Sequence, residues 1–174
     1  MKLFLFIITT ALTFNVWATD SFESMAKKEL MPFKKALMGK LKGGMKKGAV
    51  HALNMCNTEA PAITKKFNNK VQLGRVSTKF RNPDNAPTNW MKGALKEFSA
   101  SSAKNKMSPK VIKLENGKQA YVEPIYVKPL CLNCHGEKVR PEIQKALNEK
   151  YPKDNALGYK AGDFRGLFWV VSGK

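Results

Sequence analysis

Read as a pattern of apolar and polar positions, the chain changes period several times. From Leu3 to Ile8 apolar residues run unbroken, and they continue less densely to Val16. Between Met25 and Met45 they thin to Leu30, Phe33, Leu37, Leu41 and Met45, three or four apart, with lysines on the other faces, which predicts a basic amphipathic helix. Pro32 marks its first turn or a kink, and Gly43-Gly44 its end. Ala49, Ala52, Leu53 and Cys56 continue the helical period and predict a second helix from Lys46 to about Asn57. The period then becomes mixed. Leu73 to Phe80 reads as a strand, Arg81 to Asn85 as a turn, and Asn89 to Phe98 as a helix opened by Pro87-Thr88. Asn116-Gly117 between Val111–Glu115 and Gln119–Val127 is the strongest hairpin signal. Pro141 to Lys150 reads as a short helix, and Phe164 to Val171, apolar on consecutive residues, as a closing strand central in a sheet. The sum is an α+β fold, N-terminal helices followed by a mainly antiparallel sheet.

The first apolar run follows a single cation, Lys2, and ends in Val16-Trp17-Ala18, whose small residues Val16 and Ala18 suit a leader peptidase cutting after Ala18. Too short to span a bilayer comfortably, it reads as a signal peptide over residues 1–18, cleaved after Ala18, with export to the periplasm. Residues 19–174 are then one domain, long enough for its own core and without a second membrane-length apolar stretch. Loss of Lys2 takes the formal net charge from +18 to +17. Such a charge favours an acidic protein or an anionic membrane surface as partner. Export and the lack of any nucleic-acid motif set nucleic acid aside.

Three cysteines, an odd number, in an oxidising compartment each need an explanation. Cys131-Leu132-Asn133-Cys134-His135 is the spacing that attaches haem c: two thiols add to the porphyrin vinyl groups, and the following histidine reaches the iron. A Cys131–Cys134 disulfide or a thioredoxin-like pair would share C-x-x-C, but Pro129-Leu130 before it and Gly136 after it do not make the strand-to-helix setting of a redox pair. A zinc site of Cys56, Cys131, Cys134 and His135 suffers from two adjacent ligands whose side chains diverge.

The sixth iron position then decides the chemistry. Besides eight methionines, the candidates are Cys56 and His51, the one histidine outside the motif. His51 lies about 140° around the helix from Cys56, on a face with Lys47, Asn54 and Thr58 that looks at water. Cys56 lies on the apolar stripe, where the pattern alone makes it a small buried residue.

The chain resembles a family of single-domain periplasmic c-type haem proteins with a PAS-like fold, catalogued as a domain of unknown function. The likeness rests on Gly43-Gly44, Ala49 through Cys56, Ala60-Pro61-Ala62-Ile63, the run Leu73 to Pro87 with Trp90, Cys131 to Gly136, Tyr151-Pro152, Ala156 to Tyr159 and Gly162 to Gly166. It implies covalent haem on Cys131 and Cys134, with His135 and an upstream helical cysteine, here Cys56, as axial ligands. The family also supplies sensor domains of membrane kinases and chemoreceptors, but no transmitter region is present here. A thiolate ligand favours ferric iron and hence a low potential. The functions expected are redox or ligand sensing or one-electron transfer, without enzyme activity. A haem peroxidase using His51, or an electron-transfer subunit docking on a membrane complex through its lysines, are the alternatives. Arg75 and Arg81 suit haem propionates, or else brace the surface and turn around them.

Overall fold

The structure, a computed structural model, describes residues 15–69, 71–102, 107–115 and 117–173. Its elements are helix α1 (Asn15–Met45), α2 (Ala49–Phe67), strand β1 (Gln72–Val76), α3 (Asn89–Ser102), β2 (Lys110–Lys113), β3 (Gln119–Tyr126), the single turn α4 (Leu132–His135), α5 (Pro141–Lys150) and β4 (Phe164–Val171). Residues 1–14 of the expected leader, and Asn116 of the expected hairpin turn, lie outside the described residues; α1 runs on from Asn15 through Ala18. No helix among the described residues is long and apolar enough to cross a membrane.

The four strands form one antiparallel sheet in the order β1-β4-β3-β2. Helices first and antiparallel sheet second is the α+β arrangement that the periodicity predicts. β4 is an inner strand, flanked by β1 and β3, and α1 and α3 cover its two faces, which is why its apolar residues are consecutive instead of alternating. Pro124 sits in β3 beyond the stretch paired with β2, where a missing N–H removes no ladder bond on that side.

The alternation of β4 divides the core between two layers. On one face Phe22, Ala26, Leu30 and Phe33 of α1, three or four apart, pack on Leu73, Tyr121 and Val170, with Phe168 alongside. On the other, Met91, Ala94, Leu95 and Phe98 of α3 pack on Val76, Val122 and Leu167, with Trp169 alongside. Complete burial of Phe33 is worth about 1.5–3 kcal/mol relative to leaving it in water. A third cluster joins Ala49 and Leu53 of α2 to Ile143, Ala146 and Leu147 of α5, with Cys134 packed against it.

Several boundaries differ from the sequence reading: α1 begins at Asn15, with Pro32 in its interior, α2 begins at Ala49 and α3 runs on to Ser102, and two further differences have a visible physical reason. α2 continues past Asn57 and through Pro61 to Phe67, because Ala60, Ile63 and Phe67 prolong its apolar stripe, and their packing outweighs the hydrogen bond that Pro61 removes. β1 stops at Val76, not Phe80: the Ser77 N–H donates to the Asn85 carbonyl (3.1 Å) and leaves the ladder.

Candidate functional site

Beyond the first core layer, α1 and α2, the β1–β4 side of the sheet and the loop after β3 enclose one cavity of about 250 Å³. Cys56, Cys131, Cys134, His135, Arg75 and Arg81 all line it; His51, half-buried on α2, does not. Residues separated by up to 79 positions in the chain thus meet in one space.

The Cys131 to His135 segment is held by its own backbone. Pro129 opens a 3₁₀ turn whose Cys131 N–H donates to Lys128 (2.8 Å), and Gly136 closes α4 on Leu132 (3.1 Å). A Cβ at Gly136 would lie 2.8 Å from the Leu132 carbonyl oxygen, so the tight closure requires glycine. The segment Ala156 to Tyr159 straps this turn from behind: Tyr159 N–H donates to the His135 carbonyl and Gly158 N–H to that of Gly136, each at 3.0 Å.

His135 itself is fixed by the same strap. Its Nδ1 lies 2.7 Å from the Ala156 carbonyl, which can only accept, so Nδ1 carries the proton and Nε2 keeps its lone pair. Burial, reinforced by Arg81 and Arg165, brings its pKa down to about 3. The ring is therefore neutral, with one nitrogen oriented by the protein and the other able to ligate a metal.

All three cysteines are free thiols, each partly buried. Burial pushes the Cys56 thiol up, against the pull of Arg75 and Arg81; Cys134 is raised for the same first reason, with Arg81 opposing. Cys56 and Cys134 are near enough for their charges to couple. Among the described residues, no three His, Cys, Asp or Glu side chains converge on a point where a bare metal ion would sit. The donors surround a space instead of closing on a centre.

Three arginines complete the wall. Arg81 is almost fully buried and engaged: Nη2 and Nε reach Asp154 Oδ2 at 3.0 and 3.1 Å, and Nη2 also donates to the Cys134 carbonyl at 2.5 Å. Since Asp154 Oδ1 accepts from Ala156 N–H (2.8 Å), one chain of bonds runs from Arg81 through Asp154 to the residue that holds His135. Arg75 on β1 has its Nε buried without a hydrogen-bond partner. Arg165, at the start of β4, donates from Nη1 to Ser77 Oγ (2.7 Å) and the Lys79 carbonyl (2.9 Å), with Tyr159 5.2 Å away.

Sequence reasoning misses Arg165, Tyr151 and the cavity-lining lysines Lys34 and Lys40. For Arg165 the available signal is its neighbour Gly166, where a Cβ would come within 2.2 Å of the Val76 carbonyl oxygen: a glycine marking close strand approach. For the lysines, in a chain this basic, there is none.

Comparison with known proteins bears on the whole fold. No curated protein matches the chain. The crystal structure of the cyanobacterial haem-protein Tll0287 superposes with a TM-score of 0.63 at 25% sequence identity, over 89% of this chain and 96% of that one. The Tll0287-like family model matches residues 14–172, which takes in every element from α1 to β4 as well as all the cavity residues, and the chain therefore belongs to the Tll0287-like family.

Proposed function

We propose that this chain is an exported c-type haem protein, with haem bound covalently through Cys131 and Cys134 and its iron held by His135 and Cys56. The observation that carries the reading is the convergence of these four side chains on one cavity, with His135 neutral and its Nδ1 tied to Ala156. A family relative described as a haem-protein supports it. A cleft lined by apolar side chains such as Leu41, Met45, Leu53, Ile63 and Phe168, with donors on opposing elements, suits a flat hydrophobic ring better than a closed tetrahedral metal site.

When bound, the group supplies one-electron redox chemistry at iron. The chain's own part is to bind and orient it. The strap Ala156–Tyr159 fixes the imidazole, Arg81 and Asp154 fix the strap, and α2 presents Cys56, whose thiol, raised by burial, would have to lose its proton to ligate a metal. If His135 and Cys56 both hold the iron, no open position would be left for a substrate, which favours one-electron transfer or redox sensing over enzymatic turnover. The apolar run within residues 1–18, read as a leader, supports export to the periplasm, where haem c is attached.

Electron paramagnetic resonance of the ferric protein tests the ligand set. The wild type is expected to show a low-spin thiolate signature that Cys56→Ala abolishes. An unchanged Cys56→Ala spectrum sinks the assignment.

A further inference from the structure

The charges on the cavity wall do not balance. Five cations, Lys34, Lys40, Arg75, Arg81 and Arg165, line it, and no aspartate or glutamate does. Three of the five reach a carboxylate set behind the wall: Lys34 pairs with Glu123, Lys40 with Glu59 and Arg81 with Asp154. Arg75 and Arg165 are in no salt bridge with any described residue, and they repel each other.

A buried guanidinium without a counter-charge is costly, and stable interiors answer such charges with a partner. Here no described carboxylate closes a salt bridge with either; the groups that favour their charges are Cys56 and Tyr151 for Arg75, and Tyr159 and Asp154 for Arg165. Arg75 has its Nε buried and unbonded, and the surface it retains borders the cavity. Arg165 is held in place by Ser77, Lys79 and Tyr159, so its fork is pre-organised instead of mobile. The two come from adjacent strands: Val76 is in register with Leu167, and Ser77 Oγ, the next position, donates to the Arg165 carbonyl at 2.7 Å. Planar forks of this kind bind carboxylates with paired, charge-assisted hydrogen bonds.

From this juxtaposition we infer that Arg75 and Arg165 form a subsite for two carboxylates, and, resting on the haem reading above, that it takes the two propionates of the haem. Two carboxylates held there would bring two negative charges to the two guanidiniums, neither of which has a salt-bridge partner among the described residues. Arg81 belongs to a different part of the wall, as the brace of the Cys134–His135 turn.

The test uses the full chain produced without haem attachment, titrated with haemin and with haemin dimethyl ester, and followed by the Soret band and tryptophan quenching. Haemin is expected to bind on the order of 100-fold more tightly than the diester, the worth of two charge-assisted contacts. In R75Q/R165Q that preference should collapse to near one, while K92Q/K96Q, an equal loss of charge at exposed positions of α3 outside the cavity, should keep it. Equal binding of both porphyrins by the wild type overturns the subsite and leaves the haem reading standing, and so does an undiminished preference in R75Q/R165Q. Binding of neither porphyrin overturns the haem reading itself, and the subsite with it. Should R75Q/R165Q not fold, the wild-type ratio alone decides.

Discussion

Between Lys128 and Gly136 the chain builds its side of the cavity from consecutive residues, whereas Arg75 and Arg165, ninety positions apart, build theirs from two neighbouring strands. The first region fixes itself: a proline-led turn, a glycine closure and short backbone bonds set the positions of Cys131, Cys134 and His135. The second is set by sheet register, and only the folded β1–β4 pair brings its charges together. The first region also bonds its backbone and the Nδ1 of His135, while the second leaves Arg75 Nε unbonded. A self-sufficient region reads as an attachment device, and an unsatisfied one as the place a ligand completes.

The largest expected effect falls on the first region. In C131A/C134A both thioether positions are gone, and haem should be released completely by acid extraction and leave no haem stain on a denaturing gel. Covalent haem surviving in that variant would break the distinction between the two regions.

A second substitution pair separates a satisfied arginine from an unsatisfied one. Arg81→Ala strips a buried aspartate of its partner and should destabilise the haem-free chain by about 3–5 kcal/mol in urea unfolding. Arg75→Gln removes an uncompensated charge and is expected to be neutral or stabilising there. Equal losses in the two would show that Arg75 is answered by the protein after all.

The same contrast explains which features are legible in the amino-acid sequence. The haem-attachment string is legible because covalent chemistry demands its residues at fixed adjacent positions. β4 is legible because a doubly covered strand is apolar on consecutive residues, here Leu167 to Val171. The second half of α2 is hidden by Pro61, a local helix breaker overruled by contacts of Ala60, Ile63 and Phe67 that no window around the proline contains. The premature end of β1 depends on Asn85 and Arg165, and the Arg81–Asp154 brace spans 73 positions. Arg75 and Arg81 suit carboxylates by residue type, yet only the fold gives Arg81 its aspartate and sets Arg165 beside Arg75.

Acid should act on the first region through His135. Its folded-state pKa is held near 3, below the ordinary 6.5, by burial first and then by Arg81 and Arg165. Above pH 6.5 the ring is neutral whether folded or not. As pH falls below 6.5 the unfolded chain takes a proton that the folded one refuses, so stability drains away down to about pH 3. Between pH 7 and pH 5 the haem-free wild type should lose about 2 kcal/mol more than His135→Gln. Parallel losses in the two proteins would place the acid sensitivity elsewhere.

The smallest effect tests the edge of the comparison. His51 shares α2 with Cys56 but lies outside the cavity, about 140° around the helix. His51→Ala should leave both the absorption spectrum and the resonance signature unchanged, and should shift stability by no more than about 0.5 kcal/mol. A peroxidase would need this histidine as its acid or base, since the other one is taken by the strap. Peroxide turnover by the wild type that His51→Ala abolishes would overturn the division, because a residue outside the wall would then be acting inside it.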